Sequence, residues 1–415
     1  MNLPEDKTVP RFVVAQTGAR RGYAVPLILE KADMFERLYT DVCGNVGWGR
    51  WLTALSGLPW VGKKLRSLGN RRIPEAIRKD TVTFARPNIE WMLRSCLAQQ
   101  DSTEQFRLQL NRYTALGKAS SAKGFGKATH LYVMLNEYTT LMRAARAQGL
   151  KVVSEIYILM STQRLLKEES LRFPGWGGEV PDFDLVMREF GWEGAPIGDA
   201  DLYICPSEAV ADDLVENWNV DRSATCMVPY GMNPSWLQLI PAPQTGRVLF
   251  VGTADLRKGI HYLAMAAEKL NAQGFHYEFR VAGHVTEQVR QQPICRYLNF
   301  LGRIPRDCIH EEFQQADLFV LPSLAEGSAE VTYEALAAAL PLVVTKAAGS
   351  VVRDGVEGII IPERDPHALG DAIHKIIEDR ALRSRMASAS RERARDFTWE
   401  KYGERLVGAL KGMKS

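Results

Sequence analysis

The sequence predicts an α/β protein of two doubly wound domains, in which helices cover both faces of each parallel sheet. Strand-like and helix-like segments alternate along most of the 415 residues, a length that fits two domains. The predicted strands are short apolar runs, such as 248–251 and 342–345, as expected for strands buried on both faces. A proline-rich run at 241–243 separates two alternating series and is the best linker candidate.

The N-terminal domain is predicted over residues 1–240. It opens with an apolar strand at 12–15, a glycine-bearing turn at 16–23 and a helix at 24–38, the order that begins a doubly wound sheet. Its later elements are predicted as strands at 129–134, 151–157 and 201–207 and helices at 138–148 and 208–218.

The C-terminal domain is predicted over residues 241–395, and residues 396–415 are expected to form a helix that packs back on the N-terminal domain. Its strands are predicted at 248–251, 279–282, 298–301, 317–321, 342–345 and 358–361. Its helices are predicted near 259–273, 307–315, 329–339 and 366–379. Two such domains leave a cleft between them, and ligands of open α/β sheets bind beyond the carboxyl ends of the strands.

Composition excludes several protein classes. The chain is 46% hydrophobic and 24% charged, which is typical of globular proteins and not of collagen-like, disordered or disulfide-scaffold chains. Its six cysteines form no CxxC pair or zinc-ligand spacing, so free thiols in a reducing cytoplasm are expected. No signal-peptide pattern and no membrane-spanning stretch is present, and we expect a soluble, cytoplasmic protein.

The charge is unevenly distributed. Residues 1–160 carry 24 Lys and Arg against 13 Asp and Glu, whereas residues 161–415 carry 28 against 36. A basic first half indicates an anionic partner on that side, such as a phosphorylated substrate, a nucleic acid or an anionic membrane. Residues 47–72 hold six cations, three tryptophans and no acid. This segment is either a packed insertion with a solvated basic edge or a surface that contacts anionic lipid or a glycan.

The most informative segment is 322–336, which follows a buried strand and opens a helix. Free N–H groups and the helix dipole favour phosphate at such a helix start, and the small residues 327–329 would let a ligand approach the backbone. Glu326 and Glu334 can each accept two hydroxyl hydrogen bonds, which suits a sugar or a ribose. Glu330 lies one helical turn before Glu334, on the same face.

A second segment, 251–260, combines a strand end, a turn and the start of a helix. Its two cations, Arg257 and Lys258, stand just before the predicted helix, where they can neutralise a diphosphate. A solvated basic turn would look the same, so this segment alone is a weak signal.

Together these segments resemble the family-4 retaining glycosyltransferases, which have the GT-B fold of two Rossmann-like domains facing across a cleft. The resemblance rests on the E-x7-E spacing from Glu326 to Glu334, on the apolar strands that flank it and on the basic turn 257–259. Cys-Pro-Ser at 205–207 and Pro-Tyr-Gly at 229–231 extend it. The resemblance is specific across about residues 200–395, and in the N-terminal half it is weaker and mostly architectural.

The resemblance implies a donor site in the C-terminal domain. Glu326, Arg257 and Lys258 would form the catalytic set, in which Glu326 contacts the donor sugar and the two cations hold the diphosphate. Glu334 would contact the ribose, and Arg303 would lie in the loop that passes the base. Gly18 would approach the phosphates from across the cleft. The remaining donor-binding residues, through their backbone N–H groups, would be Gly327, Ser328, Ala329, Glu330 and Val331.

The sequence departs from the family pattern at two places. An arginine often follows the glycine of the first C-terminal turn, where this chain has Thr253, and Arg257 is expected to replace that charge. Many members carry a histidine near the reacting sugar, whereas this chain has a stretch with Glu155 and Tyr157. These two residues are acceptor-side candidates that replace the histidine or only line the acceptor side. Glu155 fits equally well as a salt-bridged acid at a strand end.

The other candidate ligands are given structural interpretations. Two D-x-D pairs, Asp182 with Asp184 and Asp199 with Asp201, precede the linker and are interpreted as loop or capping acids rather than metal ligands. His284 is the histidine most worth testing, because the turn that carries it should face the cleft.

The expected activity is transfer of a sugar, with retention, from a nucleotide-diphosphate sugar to a hydroxyl of a glycan, lipid-linked or small-molecule acceptor. The nucleotide sugar is a co-substrate, so neither a cofactor, a metal nor a nucleic-acid partner is expected. Two alternatives stay open: a GT-B sugar-nucleotide epimerase or phosphorylase-like enzyme, and a non-catalytic sugar-nucleotide-binding protein. A nicotinamide dehydrogenase is disfavoured because no G-x-G-x-x-G follows the first strand.

Overall fold

The computed structural model describes residues 9–51, 71–98, 101–135, 137–191 and 200–413. Most of the basic segment 47–72, with Trp60, Lys63, Lys64 and Arg66, lies outside the described residues, and so does Asp199.

The first sheet has seven parallel strands in the order β3-β2-β1-β4-β5-β6-β7. The strands are β1 (Phe12–Ala15), β2 (Phe35–Thr40), β3 (Thr81–Thr83), β4 (His130–Met134), β5 (Lys151–Glu155), β6 (Leu202–Cys205) and β7 (Thr225–Met227). The helices are α1 (Ala24–Lys31), α2 (Glu75–Arg78), α3 (Ala85–Leu97), α4 (Ser102–Ser121), α5 (Thr139–Ala147), α6 (Thr162–Arg172), α7 (Phe183–Glu189) and α8 (Glu208–Trp218).

The predicted helix over 24–38 is wrong in its second half. Helix α1 ends at Lys31, and Asp33 adopts a left-handed φ of 55° that turns the chain back toward the sheet. Strand β2 then pairs in parallel with β1. Phe35 and Leu38 of β2 are buried, and their spacing of three residues, with the polar Glu36 and Arg37 between them, fits one face of a helix.

The second sheet has six parallel strands in the order β10-β9-β8-β11-β12-β13. These strands confirm the predicted ones to within one residue: β8 (Arg247–Val251), β9 (Glu278–Ala282), β10 (Leu298–Gly302), β11 (Leu318–Leu321), β12 (Leu342–Thr345) and β13 (Gly358–Ile361). The helices are α9 (Ile260–Ala272), α10 (Glu287–Arg290), α11 (Ile309–Gln315), α12 (Glu330–Ala337), α13 (Pro366–Glu378), α14 (Arg380–Ala394) and α15 (Trp399–Lys411). The protein is thus two doubly wound domains.

The last helix, α15, contacts the first domain. Gly403 faces Ile28 of α1 so closely that a Cβ on the glycine would lie 3.5 Å from the isoleucine side chain. Tyr402 packs edge-on against Tyr230, with ring centroids 6.0 Å apart. Within the described part of the chain, no helix combines the length and the hydropathy needed to cross a membrane.

A buried polar cluster also joins the domains. Glu169 of α6 is fully buried and accepts hydrogen bonds from three side chains of the second domain. The donors are His261 Nε2 at 2.9 Å, Tyr262 Oη at 2.5 Å and Arg364 Nε at 2.9 Å. Burial alone would raise the pKa of Glu169, but the hydrogen bonds and the charge of Arg364 hold it below its usual range. The carboxylate is therefore ionised at neutral pH.

We expect Glu169→Gln to lower the free energy of unfolding by about 3 kcal/mol at pH 7, because it removes one partner of a buried charged pair. The folded-state pKa of Glu169 is depressed, so this stabilisation is present at neutral pH and is lost as the pH falls through that pKa. Denaturant unfolding of the wild type and of Glu169→Gln at pH 7 and pH 4 measures the difference between their free energies of unfolding. This difference should be smaller at pH 4.

The matched control is Glu168→Gln, which changes the mostly exposed neighbour that lies 3.3 Å from the same arginine. It should cost less than about 1 kcal/mol. Equal losses for the two variants would show that the buried cluster contributes nothing specific.

Candidate functional site at the domain interface

The carboxyl ends of the two sheets face each other. Arg21, in the turn after β1, contacts Glu330 at the start of α12. The hydroxyl of Ser207, after β6, donates to the carbonyl of Gly327, after β11. Lys346, after β12, pairs with Asp212 of α8 at 2.8 Å. The cleft is therefore lined by the strand-end loops, where open α/β sheets bind their ligands.

Glu326 and the two predicted diphosphate ligands form one ion cluster. Arg257 Nη1 and Lys258 Nζ both lie 2.6 Å from the same oxygen, Oε1 of Glu326. All three side chains are largely buried. The structure therefore brings the proposed catalytic set together, with the acid paired to the two cations.

A glycine makes this cluster possible. Gly259 has a left-handed φ of 70°, and a Cβ there would lie 2.0 Å from the carbonyl oxygen of Pro322. The basic turn therefore approaches the loop after β11 at backbone distance. Arg257 Nη1 then donates to the carbonyl of Ala325 at 3.0 Å, and the Lys258 N–H donates to Asp255 Oδ1 at 2.9 Å.

The small residues after Glu326 serve a contact between domains. A Cβ on Gly327 would lie 1.9 Å from the carbonyl oxygen of Tyr157 in the other domain. Gly327, Ser328 and Ala329 are all buried. The N–H of Ala329 donates to the carbonyl of Ala348 at 3.1 Å. The small size of Gly327 is thus required by the backbone of the other domain, and the Ala329 N–H already has a partner, so the approach of a ligand to 327–329 stays a prediction.

Glu155 is enclosed rather than open to an acceptor. Its carboxylate accepts from Arg21 Nη1 at 2.6 Å and from the hydroxyls of Tyr132 and Tyr230 at 2.7 and 3.1 Å. Burial would raise its pKa, but Arg21 and these hydroxyls hold the pKa below its usual range. Glu155 is therefore a salt-bridged acid at a strand end, and Arg21 extends from it to Glu330 at 3.2 Å.

Tyr157, the other acceptor-side candidate, belongs to a network that the sequence did not predict. Its hydroxyl donates to Glu137 Oε1 at 2.9 Å, and the guanidinium of Arg20 lies 3.8 Å from the centre of its ring. Asp41, which follows β2, is the centre of a second group of polar contacts and accepts a hydrogen bond from the Gly18 N–H at 2.8 Å. Asp41 was missed because β2 was predicted as helix, and no motif signals Glu137.

Glu334 borders a cavity of the cleft. It lines a cavity of about 640 Å³ together with Arg21, Trp236, Arg306 and His310. Burial, with a smaller contribution from the negative charge of Glu330, raises the pKa of Glu334 to about 7, although Arg306 opposes the shift. The carboxyl group is therefore poised between its two protonation states at neutral pH.

The remaining candidates lie outside this cluster. The side chains of Arg303 and His284 are exposed, and the carbonyl of His284 accepts from the Ala254 N–H at 2.7 Å. Asp182 caps α7 through the Leu185 N–H, as predicted. Asp201 accepts from the Val152 N–H at 2.7 Å. Among the described residues, no three His, Cys, Asp or Glu side chains converge in the manner of a metal site.

Comparison with known families finds one match. Residues 245–379 match the model of the family Glycosyl transferases group 1. This range covers the second sheet and contains Arg257, Lys258, Glu326 and Glu334. The match therefore covers the half of the cleft that carries the ion cluster.

Several curated proteins are similar over about half of this chain. Glycogen synthase of Mycobacterium tuberculosis is 27% identical over 244 residues, covering 56% of this chain and 58% of the relative. Phosphatidyl-myo-inositol mannosyltransferase of Mycobacterium leprae is 29% identical over 209 residues, covering 47% and 56%. The chain thus matches a little more than half the length of these relatives.

Solved structures share the whole fold. Sucrose-phosphate synthase from Thermosynechococcus elongatus superimposes with a TM-score of 0.63 at 17% identity, covering 97% of this chain and 98% of that chain. HepE from Anabaena, in complex with UDP, gives 0.60 at 16% identity, covering 97% and 100%. The two Rossmann-like domains and these neighbours show the GT-B fold.

We expect Glu334→Gln to stabilise the ligand-free protein at pH 8 by on the order of 2 kcal/mol, because the folded-state pKa of about 7 lies above the usual carboxyl value. Between that usual value and pH 7 the folded state binds the extra proton, so wild-type stability falls as the pH rises through this range. Thermal unfolding measured from pH 4.5 to pH 8.5 should show a decrease in stability with rising pH for the wild type. The decrease should be absent in Glu334→Gln.

Glu330→Gln is the matched control on the same helix, since Glu330 is roughly half exposed. It should not stabilise the protein at pH 8. A Glu334→Gln variant with the pH profile of the wild type would show that burial does not shift this carboxyl group.

Proposed function

We propose that the protein is a retaining glycosyltransferase of family 4 that moves a sugar from a nucleotide-diphosphate sugar to an acceptor hydroxyl. One observation supports the proposal above all: Arg257 Nη1 and Lys258 Nζ each lie 2.6 Å from Oε1 of Glu326 at the cleft. They lie in the segment that matches Glycosyl transferases group 1. Their chemistry is that of a diphosphate clamp beside an acceptor of hydroxyl hydrogen bonds.

The proposed donor site uses one residue set for each part of the donor. Arg257 and Lys258 bind the diphosphate and stabilise the charge that develops on it as the glycosidic bond breaks. Glu326 binds hydroxyls of the sugar. Glu334 binds the ribose in its cavity, and Arg303 flanks the base. Gly18 faces the phosphates from the N-terminal domain.

Retention requires that the acceptor attacks the face from which the diphosphate leaves. In this reaction the leaving diphosphate takes the proton of the acceptor hydroxyl, so the chain supplies positioning and charge rather than a dedicated base. The enclosure of Glu155 by Arg21 and two tyrosines supports this division, because that acid is already paired. The backbone of Gly327 lies against that of Tyr157, and this contact between the domains would limit the access of water to the donor.

The pairing of Glu326 in the ligand-free cleft gives a sharp test. Glu326→Gln removes the carboxylate that competes for Arg257 and Lys258, so nucleoside diphosphate binding should be unchanged or tighter. Sugar transfer should fall strongly, because the contact to the donor sugar is lost. Calorimetry with UDP, GDP, ADP and dTDP measures the binding. Transfer assays with the corresponding nucleotide sugars, in excess chelator, measure the activity.

The complementary variant is Lys258→Ala, which should weaken binding of the nucleoside diphosphate by ~1.5–3 kcal/mol. Lys269→Ala, which changes a partly exposed lysine of α9 paired with Asp371, is the matched control and should have no effect. Interconversion of a nucleotide sugar without transfer would indicate an epimerase, and binding without turnover would indicate a binding protein. Activity that needs added manganese or magnesium would overturn the proposed metal independence.

We also propose that the N-terminal domain contacts an anionic membrane peripherally. Residues 47–98 carry ten cations against three acids. Trp48 and Trp51 are 77% and 72% exposed, and α3 presents Leu93 and Leu97 at 66% and 90% exposure. Cations with exposed apolar and tryptophan side chains suit the interface of an anionic bilayer.

The position of α3 supports this contact. Arg112 of α4 pairs with Asp41 at the carboxyl edge of the sheet and lies over the ring of Trp91 of α3. Helix α4 begins ten residues before Arg112, so this part of the helix is about 15 Å long at 1.5 Å per residue. Leu97 is the last residue of α3, which packs against α4.

We expect the protein to bind vesicles that contain anionic lipid, but not neutral vesicles, with binding that falls as salt rises. Replacing Leu93 and Leu97 with Ser should release it. Leu171→Ser, which changes a leucine that is equally exposed on α6, is the matched control and should not. Sedimentation with vesicles measures this, and a wild type that ignores anionic vesicles at low salt would refute the contact.

A further inference from the structure

Three arginines gather around two buried carboxylates at the acceptor side of the cleft. Asp41 Oδ2 accepts from Arg71 Nη1 at 3.2 Å and from Arg112 Nη2 at 2.9 Å. Glu137 Oε1 accepts from Arg20 Nη2 at 2.6 Å. Three positive charges against two negative ones leave an excess of one positive charge in a largely buried region.

The carboxylates of this cluster are occupied by protein donors. Asp41 Oδ1 also accepts from the Gly18 N–H, and Glu137 accepts from the hydroxyls of Thr17 and Tyr157. Both acids are nearly inaccessible to solvent. The hydrogen-bonding capacity that the cluster offers to a ligand is therefore mainly that of donors on the guanidinium groups.

Two of the arginines are partly exposed to solvent beside the turn that follows β1. The side chains of Arg20 and Arg71 are 28% and 34% exposed, whereas Arg112 is nearly buried. Both flank Gly18, the turn residue after β1: Arg20 follows it by two residues, and Arg71 Nη1 would lie 3.6 Å from a Cβ on Gly18. Since the buried acids fix both side chains, their orientation costs little additional entropy when a ligand binds.

The cations on the donor side are arranged differently. Arg257 and Lys258 share Glu326, and Arg21 is divided between Glu155 and Glu330. In those groups an acid of the cleft stands among the cations. At Arg20 and Arg71 the acids are nearly inaccessible to solvent whereas the guanidinium groups are partly exposed, so an anion can approach the two arginines without displacing an acid.

We propose that Arg20 and Arg71 bind a phosphate group of the acceptor, so that the acceptor is a phosphorylated compound rather than a neutral glycan. This inference rests on the proposed function and specifies its acceptor. Fixed guanidinium groups match phosphate oxygens in charge and geometry. The phosphate belongs either to a soluble sugar phosphate or to a phospholipid headgroup, and both present the same oxygens to the two arginines.

The test compares probes that differ in the phosphate alone. We expect glucose 6-phosphate to bind to the full-length protein in calorimetry at least tenfold more tightly than glucose. Arg71→Gln and Arg20→Gln should each weaken that binding at least tenfold. Arg72→Gln, which changes the exposed neighbour of Arg71, is the matched control and should alter binding less than twofold. Arg71→Lys should recover part of the affinity, since it restores the charge.

A parallel arm addresses the lipid source. Vesicles that contain phosphatidylinositol replace glucose 6-phosphate as the probe, and weaker binding of these vesicles by Arg20→Gln and Arg71→Gln, with Arg72→Gln unchanged, would support a phospholipid acceptor. If Arg71→Gln and Arg72→Gln bind glucose 6-phosphate equally well, and also bind the vesicles equally well, the proposal is wrong.

The donor site provides an independent readout. All four variants should bind the nucleoside diphosphate, chosen by calorimetry among UDP, GDP, ADP and dTDP, as tightly as the wild type does. The acceptor proposal can therefore fail while the proposed glycosyltransferase function still holds. If Arg71→Gln weakens binding of the nucleoside diphosphate as much as binding of glucose 6-phosphate, Arg71 belongs to the donor site and the acceptor proposal is wrong.

Discussion

The close approach of the two sheets at Gly327 is the constraint on which the cleft depends. A Cβ at this position would lie 1.9 Å from the carbonyl oxygen of Tyr157, so any side chain would push the domains apart. Gly349 imposes a similar limit, since its Cβ would lie 2.3 Å from the carbonyl oxygen of Gly327. With these loops in backbone contact, Arg21 can reach Glu330 across the cleft.

The same approach explains why so much charge is buried between the domains. Ionised groups removed from water are tolerated when they are paired and hydrogen-bonded. Glu155, Glu169 and Glu326 each meet at least one cation. Glu334 is the exception, because Arg306 does not offset its burial, and its pKa rises to about 7. Its cavity is thus a place in the cleft where a carboxyl group lacks a partner strong enough to keep it fully ionised at neutral pH.

The sequence predicted the second domain better than the first for a physical reason. Strands buried on both faces are continuous apolar runs, and those of the second sheet are visible as such. In the first domain, β2 carries polar residues and was merged with α1, while the hairpin of α3 and α4 has no strong apolar pattern. Asp41 was lost with β2, and its partners Arg71 and Arg112 come from distant parts of the chain.

The site shows the same limit of sequence reasoning. The grouping of Glu326 with Arg257 and Lys258 was expected from the motif, and the structure brings the three together. The direct pairing of acid and cations was not expected, because each had been assigned to a different part of the donor. Likewise, Gly327 was interpreted as room for a ligand, although its close neighbour is the backbone of the other domain. A motif identifies which residues share a site, whereas the contacts among them depend on how two domains meet.

The ion cluster at Glu326 has a consequence for the proposed reaction. A diphosphate that enters must become the partner of Arg257 and Lys258 in place of the carboxylate. Exchanging one anion for another keeps the buried cations compensated, which avoids the cost of an unpaired buried charge. The released carboxylate then needs new donors, and the hydroxyls of a sugar attached to the diphosphate are suitable ones. A nucleoside diphosphate without its sugar would displace Glu326 and give it no partner. The cluster therefore favours the intact donor over its own leaving group, which helps the product to depart after transfer.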